Sequence, residues 1–146
     1  MKLREEVIKS KIRNVIDLVE IINEHLPKAF EDFNKSRMVR DAVYKETESA
    51  IEYLIDICNI INTDLGLGMP ESEESILNNL KKKKILPLKI INLIKDMKNF
   101  RNILVHKYGE IDDEQAFDTI KQGIDDFNKV ISEIESFLDK HQIDNS

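Results

Sequence analysis

A chain of 146 residues, of which 41% are hydrophobic and 34% charged, is long enough to bury one core without disulfides or a structural metal. Its four glycines and three prolines are too few for the frequent turns of an all-β protein, so long helices are the default. The formal net charge of −6 argues against a generally basic surface for nucleic acids, and any such contact would need a local basic patch.

The single cysteine and the first residues bear on the cell compartment. Cys58 lies within an apolar run and is expected to be a buried free thiol in a reducing environment. The charges of the first residues are followed by no apolar run, and no stretch approaches the roughly 18 apolar residues that span a bilayer. A cytoplasmic protein is therefore predicted, with no membrane association.

Two long helices are predicted in the first half of the chain. Apolar residues spaced three and four apart predict the first helix from about Lys2 to His25, and Pro27 ends it. Residues 28–36 form a short connection with room for one helical turn at its phenylalanines. A second helix follows from about Ser36 to Thr63. Glu46 falls on the apolar face of this helix. It could contact the residues of a functional site without touching the substrate, but a residue at the edge of the face that reaches solvent is the favoured interpretation.

The second half of the chain opens with a break in the helical pattern. Two glycines and a proline within residues 64–70 predict a turn. Ser72 is a suitable N-cap for a short third helix, with Glu73 and Glu74 favourable in its first turn and the lysines at 81–84 at its end. A fourth helix opens at Pro87 and ends before Gly109, since proline suits the first turn of a helix and glycine its end.

A fifth helix is predicted from near Asp113 to about Asp139, and the tail from His141 to Ser146 is expected to fray. Helices of this kind bury their apolar faces against one another, which gives an all-α fold, an antiparallel bundle of four to five helices. Residues 1–140 are assigned to this single domain and residues 141–146 to the tail. The seven-residue spacing on the first and last helices also suits packing between chains, so dimerisation through helices is expected.

Most of the chain offers no catalytic pattern. Neither His25 nor His141 has a second histidine or a cysteine at metal-ligand spacing, and neither a phosphate loop nor a dinucleotide fingerprint is present. By residue type alone, a phosphate site and a simple capping or surface role remain equally open for one segment. Within eight residues, this segment carries Arg101, Asn102, His106, Lys107 and Tyr108.

The residue types in this segment suit the cleavage of RNA. The 2′-hydroxyl of RNA is its own nucleophile, and its attack on phosphorus needs proton transfer and a stabilising charge. His106 can transfer protons at neutral pH, and the guanidinium of Arg101 can bind a phosphate through two N–H groups. Asn102 would hydrogen-bond the phosphate or orient His106. This chemistry requires neither a metal nor another cofactor, and none is expected.

The helical geometry of the segment limits how its side chains can meet. In a regular helix Arg101 and Tyr108 share one face, whereas Arg101 and His106 lie about 140° apart. Arg101 and His106 therefore converge only through the long Arg side chain, an irregular helix end before Gly109, or a second copy of the chain. The lysines at 81–84, together with Lys89 and Lys107, would supply a basic patch for RNA if the fold brings them near the motif. The alternative is that the lysines at 81–84 are simply solvated at a helix end.

The pattern Arg101-Asn102-x-x-x-His106-x-Tyr108 resembles the motif of HEPN domains of the HepT type. The resemblance covers nearly the whole chain, and it implies a helical bundle that forms a homodimer with the two motifs facing one cleft. Further matches are found at Arg40–Val43, Leu65–Pro70, Met97–Phe100 and Ile111–Asp112.

The resemblance also implies an activity and a partner. Arg101 and His106 would carry the metal-independent endoribonuclease activity of a toxin, with Asn102 and Lys107 in support and RNA rather than DNA as substrate. A minimal nucleotidyltransferase (MNT) antitoxin would neutralise the toxin by transferring AMP from ATP to Tyr108. The alternatives are a non-catalytic HEPN module that binds a nucleotide or a nucleotidyltransferase, and a plain helical interaction protein.

Overall fold

The computed structural model describes residues 2–106 and 109–144 of the chain. Within these ranges the fold is all-α, without any strand. The helices are α1 (Glu5–His25), α2 (Phe30–Lys35), α3 (Arg37–Asp64), α4 (Glu73–Lys82), α5 (Leu88–His106) and α6 (Asp113–Asp144). The helical fold predicted from the apolar spacing is confirmed. In the described part of the chain, every helix is too short or too polar to cross a bilayer.

α3 is the central helix of the bundle. It lies along α1 and also contacts α2, α4 and α5, while α6 contacts α1, α2 and α5. Burial of one aliphatic side chain stabilises a fold by about 1.5–3 kcal/mol, so the apolar stripes predicted from the sequence explain how these helices pack. The stripe residues that are almost completely buried include Ile8, Ile22, Leu54, Ile61 and Ile134.

The turn between α3 and α4 is held by the buried side chain of Asn62. Its Nδ2 donates to the carbonyl of Gly68 at 3.0 Å, and its Oδ1 accepts from Asn79 Nδ2 at 3.0 Å. Gly68 has a φ of 154°, and a Cβ there would lie 2.7 Å from the Asn79 side chain, so the position requires glycine. The predicted N-cap Ser72 is confirmed, because it forms a capping box with Ser75. These contacts position the first turn of α4.

Residues 30–35 form a separate short helix, α2, where the sequence predicts a connection with one helical turn. Phe33 is completely buried, and its ring centroid lies 5.2–6.4 Å from those of Phe30, Tyr44 and Phe117. Tyr44 belongs to α3 and Phe117 to α6, so aromatic contacts from two long helices stabilise a helix that is too short to form by itself.

α6 is longer than the sequence predicts. The expected end lies near Asp139 with a frayed tail from His141, but the helix continues to Asp144. The ring of His141 stacks on that of Phe137 one turn earlier, with centroids 5.9 Å apart, and this contact extends the helix beyond its apolar stripe. The last two residues lie outside the described ranges. The assignment of residues 1–140 to one domain stays a prediction.

Candidate active site

α5 carries the predicted catalytic motif near its C-terminal end. Its apolar stripe, which includes the buried Leu104, fixes the rotation of the helix in the bundle. This rotation turns Arg101 toward α4, with Asn102 beside it, and leaves His106 exposed as the last residue of α5. Lys107 and Tyr108, the other predicted site residues, lie outside the described residues.

The guanidinium of Arg101 is already bound by two side chains. Its Nη1 and Nη2 donate to the two carboxylate oxygens of Glu73 at 2.9 and 2.5 Å. Its Nε and Nη2 donate to Asn102 Oδ1 at 3.3 and 2.8 Å. Four of the five N–H groups of the guanidinium are therefore engaged, and the Arg101 side chain is only 12% exposed. The sequence predicted that Asn102 hydrogen-bonds the phosphate or orients His106, whereas here its Oδ1 accepts from Arg101.

Acids of α4 and cations of α5 form an ion-pair cluster around this arginine. Glu74 accepts from Lys98 at 2.8 Å and lies 3.1 Å from Lys95, next to the pair of Glu73 and Arg101. The hydrogen bond from Arg101 lowers the pKa of Glu73, and burial opposes this effect only in part. The hydrogen bond from Lys98 likewise lowers the pKa of Glu74. Both carboxylates are ionised at neutral pH.

Arg101 and His106 lie on one continuous helix. Because α5 is helical through His106, the bent helix end that would bring the two side chains together is not seen before that residue. Five helical positions correspond to a rotation of about 500° and a rise of about 7.5 Å. Arg101 reaches toward Glu73 on α4, whereas His106 faces solvent. The side chains of Arg101 and His106 therefore do not point to a common site within one chain.

Comparison with known proteins identifies the family. The family described as Ribonuclease HepT-like matches residues 15–134, which is more than half of the chain. The chain belongs to the HepT-like family. The resemblance carried by the Arg101–Tyr108 pattern is thereby confirmed.

The HepT-like chain is similar to characterised proteins over most of its length. It is 27% identical over 104 residues to the mRNA nuclease HepT of Shewanella oneidensis, which covers 71% of this chain and 78% of that protein. A tri-AMPylated HEPN toxin of Shewanella oneidensis, solved in complex with an MNT antitoxin, superposes with a TM-score of 0.82 at 25% identity, covering 89% of this chain and 97% of that one.

The same fold recurs in a more distant structure. The cytosolic protein of unknown function YutE from Bacillus subtilis superposes with a TM-score of 0.79 at 17% identity, and the match covers 95% of this chain and 93% of that one. This likeness concerns the fold alone. The helical arrangement of the HepT-like chain is therefore retained at low sequence identity, as expected when packing stripes rather than individual residues define a bundle.

The consecutive lysines lie far from the motif. Lys81 and Lys84 line a groove of about 640 Å³ together with Leu88, the first residue of α5, and Lys140 of α6. Arg101 lies 13 residues further along α5, a distance of about 20 Å. The fold thus does not bring these lysines to the motif within one chain, which agrees with the simpler prediction of solvated lysines at a helix end.

Two acidic residues near the motif were missed by the sequence reasoning. Glu73 and Glu74 were expected only to favour the first turn of α4, yet they pair with cations of α5. The available signal was the spacing of Lys95, Lys98 and Arg101, which repeats every three residues and lines up cations on one side of a helix. Their partners followed only from the packing of α4 on α5.

Other candidate groups have structural contacts away from the motif. Glu46 pairs with His25 Nδ1 at 2.7 Å and keeps 17% of its side chain exposed, so it lies at the edge of the apolar stripe and reaches solvent only in part. Cys58 is completely buried, as predicted, and burial raises the pKa of its thiol to about 12. Among the residues that the structure describes, no three His, Cys, Asp or Glu side chains are grouped to hold a metal ion.

Proposed function

We propose that this HepT-like chain is a metal-independent endoribonuclease and the toxin of a type VII-like HEPN/MNT toxin–antitoxin pair. The observation that carries the proposal is the sequence pattern Arg101-x-x-x-x-His106-x-Tyr108, whose arginine and histidine lie near the end of α5, in a chain whose family is described as ribonucleases. The similarity to an mRNA nuclease and to a toxin bound to an MNT antitoxin supports the same function.

In the proposed reaction the RNA supplies its own nucleophile. The 2′-oxygen attacks the neighbouring phosphorus, the bond from phosphorus to the 5′-oxygen breaks, and a cyclic phosphate and a free 5′-hydroxyl result. His106 accepts or donates a proton in this exchange, which its exposed position at the end of α5 permits. The positive charge of Arg101 stabilises the phosphoryl oxygens. No metal ion takes part in these steps.

The proposed site is shared between two copies of the chain. Within one chain, the rotation of the regular helix α5 points Arg101 and His106 in different directions. In a dimer with two-fold symmetry, Arg101 of one copy can instead meet His106 of the other copy. Such a cleft also doubles the cations available to RNA, with Asn102 and Lys107 in support. A homodimer with both motifs facing one cleft follows from this arrangement.

We further propose that AMP transfer to Tyr108 switches the toxin off. The relative solved with an MNT antitoxin is itself tri-AMPylated. Adenylate groups add bulk and negative charge close to His106 in the sequence, and both hinder the approach of an RNA phosphate. Mass spectrometry of the protein co-expressed with an MNT-type nucleotidyltransferase should find AMP on Tyr108. If the toxin is neutralised while Tyr108 remains unmodified, inhibition acts through binding alone.

The decisive experiment is RNA cleavage by the purified protein in the presence of EDTA. Cleavage is expected to persist with the chelator, and His106→Ala should reduce its rate by roughly 100-fold to 10,000-fold, as is typical when a general acid or base is lost. His25→Gln is the matched control, because His25 is also exposed but pairs with Glu46 rather than with a residue of the motif. Its rate should be unchanged.

Two outcomes would redirect the assignment. Normal cleavage by His106→Ala would remove His106 from the proposed chemistry. A chain that cleaves no RNA and causes no growth arrest without its antitoxin would instead be a non-catalytic module that binds a nucleotide or a nucleotidyltransferase.

A further inference from the structure

The phosphate-binding capacity of Arg101 is limited by its present partners. A guanidinium recognises a phosphate best through two parallel N–H groups. Glu73 occupies one N–H on each terminal nitrogen of Arg101, which is the end-on pair that a phosphate would use. With Asn102 engaging Nε and the second N–H of Nη2, a single N–H on Nη1 remains. Arg101 therefore cannot bind a phosphate in the two-pronged manner while Glu73 stays in place.

Asn102 holds Arg101 independently of Glu73. Its Oδ1 accepts from Nε and Nη2, which lie along the side of the guanidinium rather than at its end. If the carboxylate of Glu73 moves away, these two bonds still orient Arg101, and a matched pair of N–H groups on Nη1 and Nη2 becomes available. Glu73 is thus not required to position Arg101.

The Glu73 side chain is free to leave without any movement of α4. It is the first residue of the helix, and its side chain is 37% exposed. The backbone around it is held separately by the capping box of Ser72 and Ser75 and by the contacts of Asn62. A rotation of the Glu73 side chain into solvent is therefore sufficient to release Arg101.

We propose that Glu73 is an internal competitor of the RNA phosphate, occupying the end of the Arg101 guanidinium until RNA displaces it. The inference rests on the proposed function and deepens it, since Glu73 then sets the affinity of the site for RNA. A carboxylate and a phosphate oxygen bear the same charge and bind the same N–H pair, so the two exclude one another. Glu74 differs because its carboxylate binds Lys95 and Lys98 instead.

The test measures RNA binding rather than cleavage. A labelled single-stranded RNA oligonucleotide is titrated by fluorescence anisotropy against the His106→Ala chain, in which RNA remains intact. Adding Glu73→Gln, which removes the charge at nearly constant size, should lower the Kd by roughly tenfold. Glu73→Ala should act in the same direction. Circular dichroism of each variant verifies that the fold is retained.

Glu74→Gln is the matched control for the change in net charge. It removes one negative charge from the neighbouring residue, yet it leaves the pair of Glu73 and Arg101 intact, so the Kd should change by less than about twofold. The salt dependence gives a second readout. Because RNA displaces Glu73, Arg101 binds the same phosphate whether or not Glu73 carries a charge, so the slope of log Kd against log salt should be unchanged in Glu73→Gln and in Glu74→Gln, whereas loss of the phosphate contact in Arg101→Ala should flatten it by about 0.7.

The outcomes separate the inference from the function on which it rests. RNA binding that is equally affected by Glu73→Gln and Glu74→Gln, or that is weakened by Glu73→Gln, would overturn the role of Glu73 and leave the ribonuclease assignment standing. Absence of RNA binding in every variant, including the chain with His106 restored, would overturn both.

Discussion

The environment of Arg101 depends on a carboxylate that lies 28 positions earlier in the chain. The sequence identified Arg101 and His106 from their chemistry and spacing, but the state of each side chain follows from its neighbours. Glu73 and Asn102 bind most of the donors of Arg101, while His106 is exposed. Residue type therefore indicated what each group is able to do, and the packed structure determines whether it is available.

Cys58 gives a prediction that depends on its surroundings alone. Complete burial raises the pKa of its thiol to about 12, so almost no reactive thiolate is present at pH 8. A thiol reagent such as DTNB should therefore react with Cys58 only after the protein is unfolded in denaturant. Reaction of the folded protein at the rate of a free thiol would contradict the burial of this residue.

Helix ends and turns decide where the motif meets its partners. The turn after α3 places Glu73 opposite Arg101 through the contacts of Asn62 with Gly68 and Asn79. The glycines and proline of this segment predicted a turn, but they did not indicate its conformation. That conformation depends on a buried polar side chain whose partners lie 6 and 17 residues away.

Asn62→Ala should destabilise the protein by about 1–3 kcal/mol, because it leaves the Gly68 carbonyl and the Asn79 amide without their buried partner. Urea unfolding followed by circular dichroism measures this change. Thr63→Ala is the control, since Thr63 is exposed and should shift the free energy of unfolding by less than about 0.5 kcal/mol. Equal stability of the two variants would show that Asn62 does not hold the turn.

Short and terminal helices were the least predictable elements. α2 forms because Phe33 packs among aromatic rings of α3 and α6, and the last turn of α6 includes the stack of His141 on Phe137. Both depend on individual ring contacts rather than on a repeated apolar spacing. The long helices, whose stripes repeat over many turns, were predicted closely, with α1 ending at His25 as expected.

The proposed composite site makes a prediction about the dimer as a whole. Arg101→Ala and His106→Ala chains with different tags are co-expressed, and the mixed dimer is isolated by two affinity steps. If each site takes Arg101 from one chain and His106 from the other, one site of the mixed dimer is complete and the other has neither group. The mixed dimer should then cleave RNA at about half the rate of the unmodified dimer.

The homodimers of either variant serve as the controls and should be inactive. A mixed dimer as inactive as these controls would indicate that Arg101 and His106 act from the same chain. Because α5 is regular as far as His106, such a result would require the two side chains to converge through movement of the helix end or of Arg101.

The helical fold, the long helices, the buried thiol and the family of this chain follow from its sequence, because apolar periodicity and a short motif are local properties. The pairing of Glu73 with Arg101, the support from Asn102 and the distance of the lysines from the motif were decided only by the tertiary structure. These features depend on which helix faces pack together and on side chains distant in the chain. The three-residue spacing of Lys95, Lys98 and Arg101 lines up cations on α5, but it does not indicate which side chains they pair with.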